Sequence, residues 1–215
     1  MAKQRDYTLL DKICLSADQA VRAIFAKPKT TERVYPGNDV PENNLTSEER
    51  KHAAALMRIN HAGEVCAQAL YHGQGLVSQR HDVKEKMQKA AIEEGDHLAW
   101  CHTRLTELGS HASYLNPVWY AGSFAIGLTA GLIGDQWSLG FLAETENQVV
   151  KHLENHLQAL PENDQRSHKI LFQMKQDEAH HRDDAIDSGA AILPQGIKKI
   201  MRFVSKIMVK TAYFV

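Results

Sequence analysis

Cysteine is scarce in this 215-residue chain: Cys14, Cys66 and Cys101 are widely spaced and form no Cys-x-x-Cys pair. That argues against a disulfide framework and a structural zinc site, and it fits a reducing cytoplasm. Net charge is nearly absent too. Lys and Arg number 25 against 26 Asp and Glu, leaving −1, so no global field selects nucleic acid as a partner. No apolar h-region follows Lys3 and Arg5, because Asp6, Asp11 and Asp18 interrupt what comes next; no secretory signal is expected. No alternating apolar–polar run is long enough for a strand. These absences leave an all-α chain, expected as one domain over residues 1–215.

What is present is helical. Residues 6–26 read as an amphipathic helix, and residues 27–44 as a linker punctuated by Pro28, Pro36-Gly37-Asn38 and Pro41. A long helix should begin at Thr46 or Ser47, since Thr46 and Glu49 have capping-box spacing, and run to about residue 79. A second is expected over about 82–108, with Gly109 as its stop. A third reaches back at least to Trp137 and ends at Ala159 or Leu160, before Pro161. A fourth is expected over about 162–188, stopped by Gly189. Pro194 opens a last helix to about residue 213. The first and third of the connections within this group of four are short, and residues 111–136 make a long one between them. Two antiparallel hairpins joined by a long crossover is the ferritin-like four-helix connectivity, here with peripheral N- and C-terminal helices.

Twelve histidines stand out, and imidazole is the commonest metal ligand. Two of them close matching words: Glu94-Gly95-Asp96-His97 and Glu178-Ala179-His180-His181. Glu and His at i and i+3 share one helix face and can grip one ion. Each word also has a lone glutamate upstream, Glu64 by thirty residues and Glu146 by thirty-two. Glu94, Glu146 and Glu178 interrupt apolar stripes instead of lying opposite them. Unpaired buried carboxylates cost several kcal/mol each and repel one another, so four together must either protonate or be held by polyvalent cations. Four carboxylates and two imidazoles without thiolate suit iron first and manganese second. Asp177 and Glu93, each directly before a ligand glutamate, could accept a hydrogen bond from the ring N–H of a ligating histidine on another helix. His152, six residues past Glu146, is expected behind the ligands or in proton transfer. His61 is expected to be an ordinary helix histidine.

Residues 112–134 contain no charge. Their length approaches a membrane span, but Gly122, Gly127, Gly131, Gly134, Ser123 and Thr129 dilute it. A monotopic or re-entrant membrane-facing patch is expected, with a buried core helix as the alternative. The tail supports a membrane surface as partner. Residues 194–213 mix Lys198, Lys199, Arg202, Lys206 and Lys210 with Ile200, Phe203, Val204 and Ile207 and hold no acid, a basic amphipathic helix suited to anionic lipid.

These words together carry a resemblance. It includes Arg58-Ile59-Asn60-His61-Ala62-Gly63-Glu64, the two Glu-x-x-His words, the run from Gly127 to Asp135, and Glu144-Thr145-Glu146, and it extends over most of the chain. The chain resembles the demethoxyubiquinone hydroxylase family of ubiquinone biosynthesis. The resemblance implies a ferritin-like di-iron monooxygenase with two irons as cofactor and O2 as co-substrate, its electron donor left open. It implies Glu64, Glu94, His97, Glu146, Glu178 and His181 as ligands, Glu94 and Glu178 bridging. It prefers Glu146 to Glu144, because His152 stands at the family's spacing from Glu146. The position after that histidine is often aromatic in the family and is Leu153 here, which removes any aromatic relay at that point. The implied substrate is a polyprenylated demethoxyubiquinol, hydroxylated on the cytoplasmic face of the cell membrane by a peripheral protein, with biosynthetic partner proteins and a homo-oligomer among its expected associations. An iron-storage or ferroxidase protein is the alternative from the ligands alone.

Overall fold

The computed structural model describes residues 8–26, 29–42 and 44–215. Among them are seven helices and no strand: α1 (Leu9–Phe25), α2 (Ser47–Val77), α3 (His81–Glu107), α4 (Asn116–Ile133), α5 (Asp135–Ala159), α6 (Gln165–Asp187) and α7 (Gln195–Phe214). The expected start of the first helix at Asp6 lies outside the described residues.

The helix boundaries follow local chemistry. The Thr46 hydroxyl accepts from the Glu49 amide and the Glu49 carboxylate accepts from the Thr46 amide at 2.8 Å, closing the capping box of α2. Gly109 (φ 69°) and Gly189 (φ 93°) end α3 and α6 in the left-handed region. The fourth bundle helix starts later than expected. Asp164 caps α6 by accepting from the Ser167 amide at 3.0 Å, so Glu162 stays in the preceding turn.

α2 pairs with α3 and α5 with α6, and the two hairpins form an all-α ferritin-like bundle. Two of its apolar core clusters flank mid-bundle, and a third joins α1 and α4 to α2 and α3 through Ala23, Val65, Leu98 and Tyr120. The first gathers Leu56, Met57, Trp100, Leu105, Leu153, Leu171 and Met174. The second gathers Leu70, Tyr71, Met87, Leu139, Leu142 and Ala185. On each of the four helices, the proposed ligands fall in sequence between residues of the first cluster and residues of the second.

The crossover is more regular than a connection needs to be. α4 lies along α2 at very close range: a Cβ on Gly127 would overlap the Leu70 carbonyl, and one on Gly73 the Phe124 carbonyl. These glycines therefore serve helix packing. The opposite face of α4 stays apolar and exposed, with Val118 at 61% and Leu132 at 68% beside Ile133. No described helix is long and apolar enough to cross a membrane.

The linker is not idle. Residues 29–42 form a strap over α3 and α6. Thr31 donates its amide (3.0 Å) and its hydroxyl to Asp96, and Arg33 pairs with Asp177. Gly95 admits the strap, since a Cβ there would overlap the Lys29 carbonyl oxygen. Farther along, the buried Arg104 binds Glu42 at 2.7 Å and Asp164 at 2.8 Å, and the Tyr35 hydroxyl donates to Glu107 at 3.0 Å.

Candidate metal centre

The doubled helix words meet at mid-bundle. Glu64, Glu94, His97 and Glu178 each offer a donor atom within 4.8 Å of the others, and all four are buried. Both imidazoles turn Nδ1 toward carboxylates. His97 Nδ1 lies 2.9 Å from Glu94 Oε2 and 3.0 Å from Glu178 Oε1. His181 Nδ1 lies 3.1 Å from Glu94 Oε1 and 3.3 Å from Glu178 Oε2. Glu94 and Glu178 thus each present one oxygen to either histidine, the arrangement of a bridging carboxylate. Glu64 flanks the His97 side at 3.8 Å. Glu146 is buried on the other side, where it feels the charges of Glu178 and His181 and accepts a short hydrogen bond from the Tyr71 hydroxyl.

The electrostatics call for cations. Burial, with the charges of Glu94 and Glu178, pushes the Glu64 carboxyl well above the usual range. Burial, with the charge of Glu178, does the same to Glu146. Burial would raise Glu94 and Glu178 too, but hydrogen bonds from the two histidines outweigh it and hold both low. Burial would lower His97 and His181, but their carboxylate partners raise both well above the usual imidazole range. The cluster therefore stabilises positive charge at its centre. Glu94 Oε1, fully buried, accepts no aligned hydrogen bond, which leaves its lone pairs for another partner. Two divalent ions would offset the four carboxylates, and this donor set fits iron or manganese.

The outer nitrogens are also held. His97 Nε2 donates to Asp177 Oδ2 at 3.0 Å, and His181 Nε2 donates to Glu93 Oε2 at 2.8 Å. Such partners fix tautomer and ring orientation in metal sites. Burial would raise the Asp177 carboxyl, but the hydrogen bonds from His97 and Arg33 pull it down to about 2.

Other residues stand elsewhere. His152 Nε2 meets Ser205 Oγ of α7 at 3.1 Å, and the residue lines the same cavity as Glu64. Glu144 turns outward to Lys198 at 2.8 Å and Gln148 at 2.9 Å. His61 Nδ1 meets Asn116 at 3.3 Å and is an ordinary buried helix histidine, its pKa lowered by burial to about 3. The sequence reading missed the part played by Tyr71, although its position seven residues after Glu64 puts it on the same face of α2. Arg33 gave no such signal.

A cavity of about 460 Å³ opens beside the cluster between α2, α4, α5 and α7. Glu64 and Gly63 form its inner end. Trp119, Leu153, His152 and His156 stand in its wall, and exposed apolar residues Val118, Ile126, Ile200 and Val204 belong to its rim.

Comparison with known proteins agrees with this geometry. The family described as Ubiquinone biosynthesis protein COQ7 matches residues 51–212. The 3-demethoxyubiquinol 3-hydroxylase of Nitrosomonas eutropha is 54% identical over 206 residues, covering 96% of this chain and 99% of that protein. The enzymes of the same name from Nitrosococcus oceani and Acinetobacter baumannii are 49% and 51% identical, each over 98% of this chain and 99% of their own. With a match this long and relatives this close, the chain belongs to the ubiquinone biosynthesis COQ7 family.

Proposed function

We propose that this chain is a di-iron monooxygenase that hydroxylates the ring of a polyprenylated 3-demethoxyubiquinol, the reaction its relatives' name states. The observation that carries this reading is the apolar cavity ending on Glu64 of the buried cluster. A ferroxidase is not favoured, because a hydrated iron ion has no use for an apolar cavity of this size.

Glu64, Glu94, His97, Glu146, Glu178 and His181 would hold two irons, which when bound supply the activation of O2. The chain's own residues do the rest. Asp177 and Glu93 keep the two imidazoles turned inward. The Tyr71 hydroxyl fixes Glu146. The absent side chain of Gly63 leaves room for a ring next to Glu64. Leu153, Val149 and Trp119 exclude water from that ring. Burial lowers the pKa of His156 to about 4 and depresses that of His152 as well, so both are neutral near pH 7 and can hydrogen-bond ring hydroxyls. One oxygen atom of O2 enters the ring C–H bond to give the hydroxyl and the other leaves as water, with two electrons from a separate reductant and two protons from solvent.

The same reading places the protein peripherally on the cytoplasmic face of the cell membrane. Support comes from the exposed apolar faces of α4 and α7, which share the cavity rim, and from exposed Lys199, Arg202, Lys206 and Lys210 beside Phe203 and Ile207. An isoprenoid tail would then run from the bilayer through that rim. The test of the function is the quinone profile of cells lacking this chain. Accumulation of a demethoxy quinone, reversed by the wild-type chain, is the expected result; an unchanged profile overturns the reading.

A further inference from the structure

The two halves of the metal centre are alike in their inner donors and differ in what stands behind them. On the His181 side, Glu93 has a loose outer partner: Lys89 at 3.5 Å, largely exposed. On the His97 side, Asp177 is clamped. Arg33 approaches with both terminal nitrogens, Nη1 at 2.8 Å from Oδ2 and Nη2 at 3.2 Å from Oδ1. Gln173 adds a second donor to Oδ1 at 2.9 Å. Oδ2, the atom that accepts from His97 Nε2, is therefore shared with a guanidinium.

Arg33 also reaches His97 by a second route. Its guanidinium lies over the buried Trp100 ring, 4.9 Å from the centroid, and that ring lies 5.3 Å from the His97 imidazole. A planar fork that binds a carboxylate bidentately while stacked on an aromatic fixes direction as well as charge, which lysine cannot do. The strap that carries Arg33 is itself pinned on α3, by Thr31 on Asp96 and by the fit of the Lys29 carbonyl over Gly95.

We propose that Arg33 is a positioning residue that makes the two metal positions unequal. By fixing Asp177, it fixes the angle at which His97 presents Nδ1, while His181 has no counterpart to this clamp in Lys89. The inference rests on the two-metal reading of the cluster.

The test compares iron-loaded wild type with Arg33→Ala, Arg33→Lys and, as control, Thr31→Ala, which removes only the hydroxyl bond from the same strap to Asp96 and leaves Asp177 untouched. Stepwise ferrous binding and Mössbauer spectra are the readouts. Wild type is expected to bind two irons and give two distinguishable quadrupole doublets. Arg33→Ala should shift or broaden one doublet and weaken one binding step by about tenfold, leaving the other as it was. Arg33→Lys should fail to restore it, and Thr31→Ala should resemble wild type. Two unchanged doublets in Arg33→Ala, or equal changes at both irons matched by Thr31→Ala, would overturn the proposal alone. A wild type that takes up fewer than two irons would overturn the two-metal reading, and this inference with it.

Discussion

Gly63 sits in the middle of α2, directly before Glu64, and a Cβ built there meets nothing within 4 Å. Helix propensity opposes glycine here: Gly in a helix interior costs roughly 0.5–1 kcal/mol against Ala. Packing does not require it either, since the space is open. What the space belongs to is the cavity, at its inner end. Gly63→Ala should therefore stabilise the fold by up to about 1 kcal/mol, which for a chain of this size is about 2–4 °C in Tm. The same methyl intrudes where the quinol ring must lie. Overpacking a fitted space costs about 1–3 kcal/mol, equivalent to a fall of about five- to 150-fold in kcat/KM. Ala should fall at the low end and Gly63→Leu at or beyond the high end, with iron content unchanged in both. Thermal unfolding, iron analysis and steady-state turnover of a short-tailed demethoxyquinol measure the three quantities. An Ala variant that is more stable and fully active would refute the placement of the ring beside Glu64. One that is less stable would refute the claim that the space is open.

Further expectations concern neighbouring features. Glu146→Ala should lose iron and activity, whereas Glu144→Ala should keep its iron and lose only the contacts with Gln148 and with Lys198, the second of which ties α7 to α5; iron loss from the Glu144 variant would reverse the assignment. Phe203→Ser should reduce flotation with anionic vesicles, by up to about 1.5–3 kcal/mol if the ring is fully buried in lipid, while iron content stays constant because no ligand lies on α7; unchanged flotation removes α7 from the membrane contact. Deleting α7 is a poorer probe, since Ile197, Met201 and Met208 line the cavity. The metal-free protein should lose stability on acidification partly through Asp177. Its folded pKa of about 2 against an ordinary value of 3.8 contributes at most about 2 kcal/mol, present in full above about pH 4 and lost as pH falls through 2. Asp177→Asn should therefore show a smaller change in urea midpoint between pH 5 and pH 3 than wild type; parallel changes would mean that the carboxylate is not held low.

The parts of this molecule that could be read from the sequence are those written in helical period. The ligand words, their lone glutamates and the caps at Thr46, Gly109 and Gly189 are relations within one helix, so i+3 and i+4 arithmetic brings them out. The carboxylates before Glu94 and Glu178 were within reach for the same reason: adjacent residues point to adjacent faces. Relations between elements were not legible. The strap joins Arg33 to a residue 144 positions away, through a segment whose prolines say only that it is not helical. The glycines of residues 122–134 look in sequence like dilution of an apolar run, yet Gly127 exists because the α2 backbone passes against it. The contact of His152 with Ser205 is of the same kind, since it depends on where α7 lies.

Four buried carboxylates between two apolar clusters also tie the protein's lifetime to its metal. With the two-iron reading, each bound iron stabilises the native chain through mass action, by about 2.7 kcal/mol at a free concentration a hundredfold above its Kd. When iron runs short, that support is withdrawn from the middle of the bundle, where mutual repulsion is greatest, and the open population seen by proteases rises. Cellular abundance of the enzyme would then follow iron supply without any change in transcription. Quinone synthesis at this step would then slow as iron runs short.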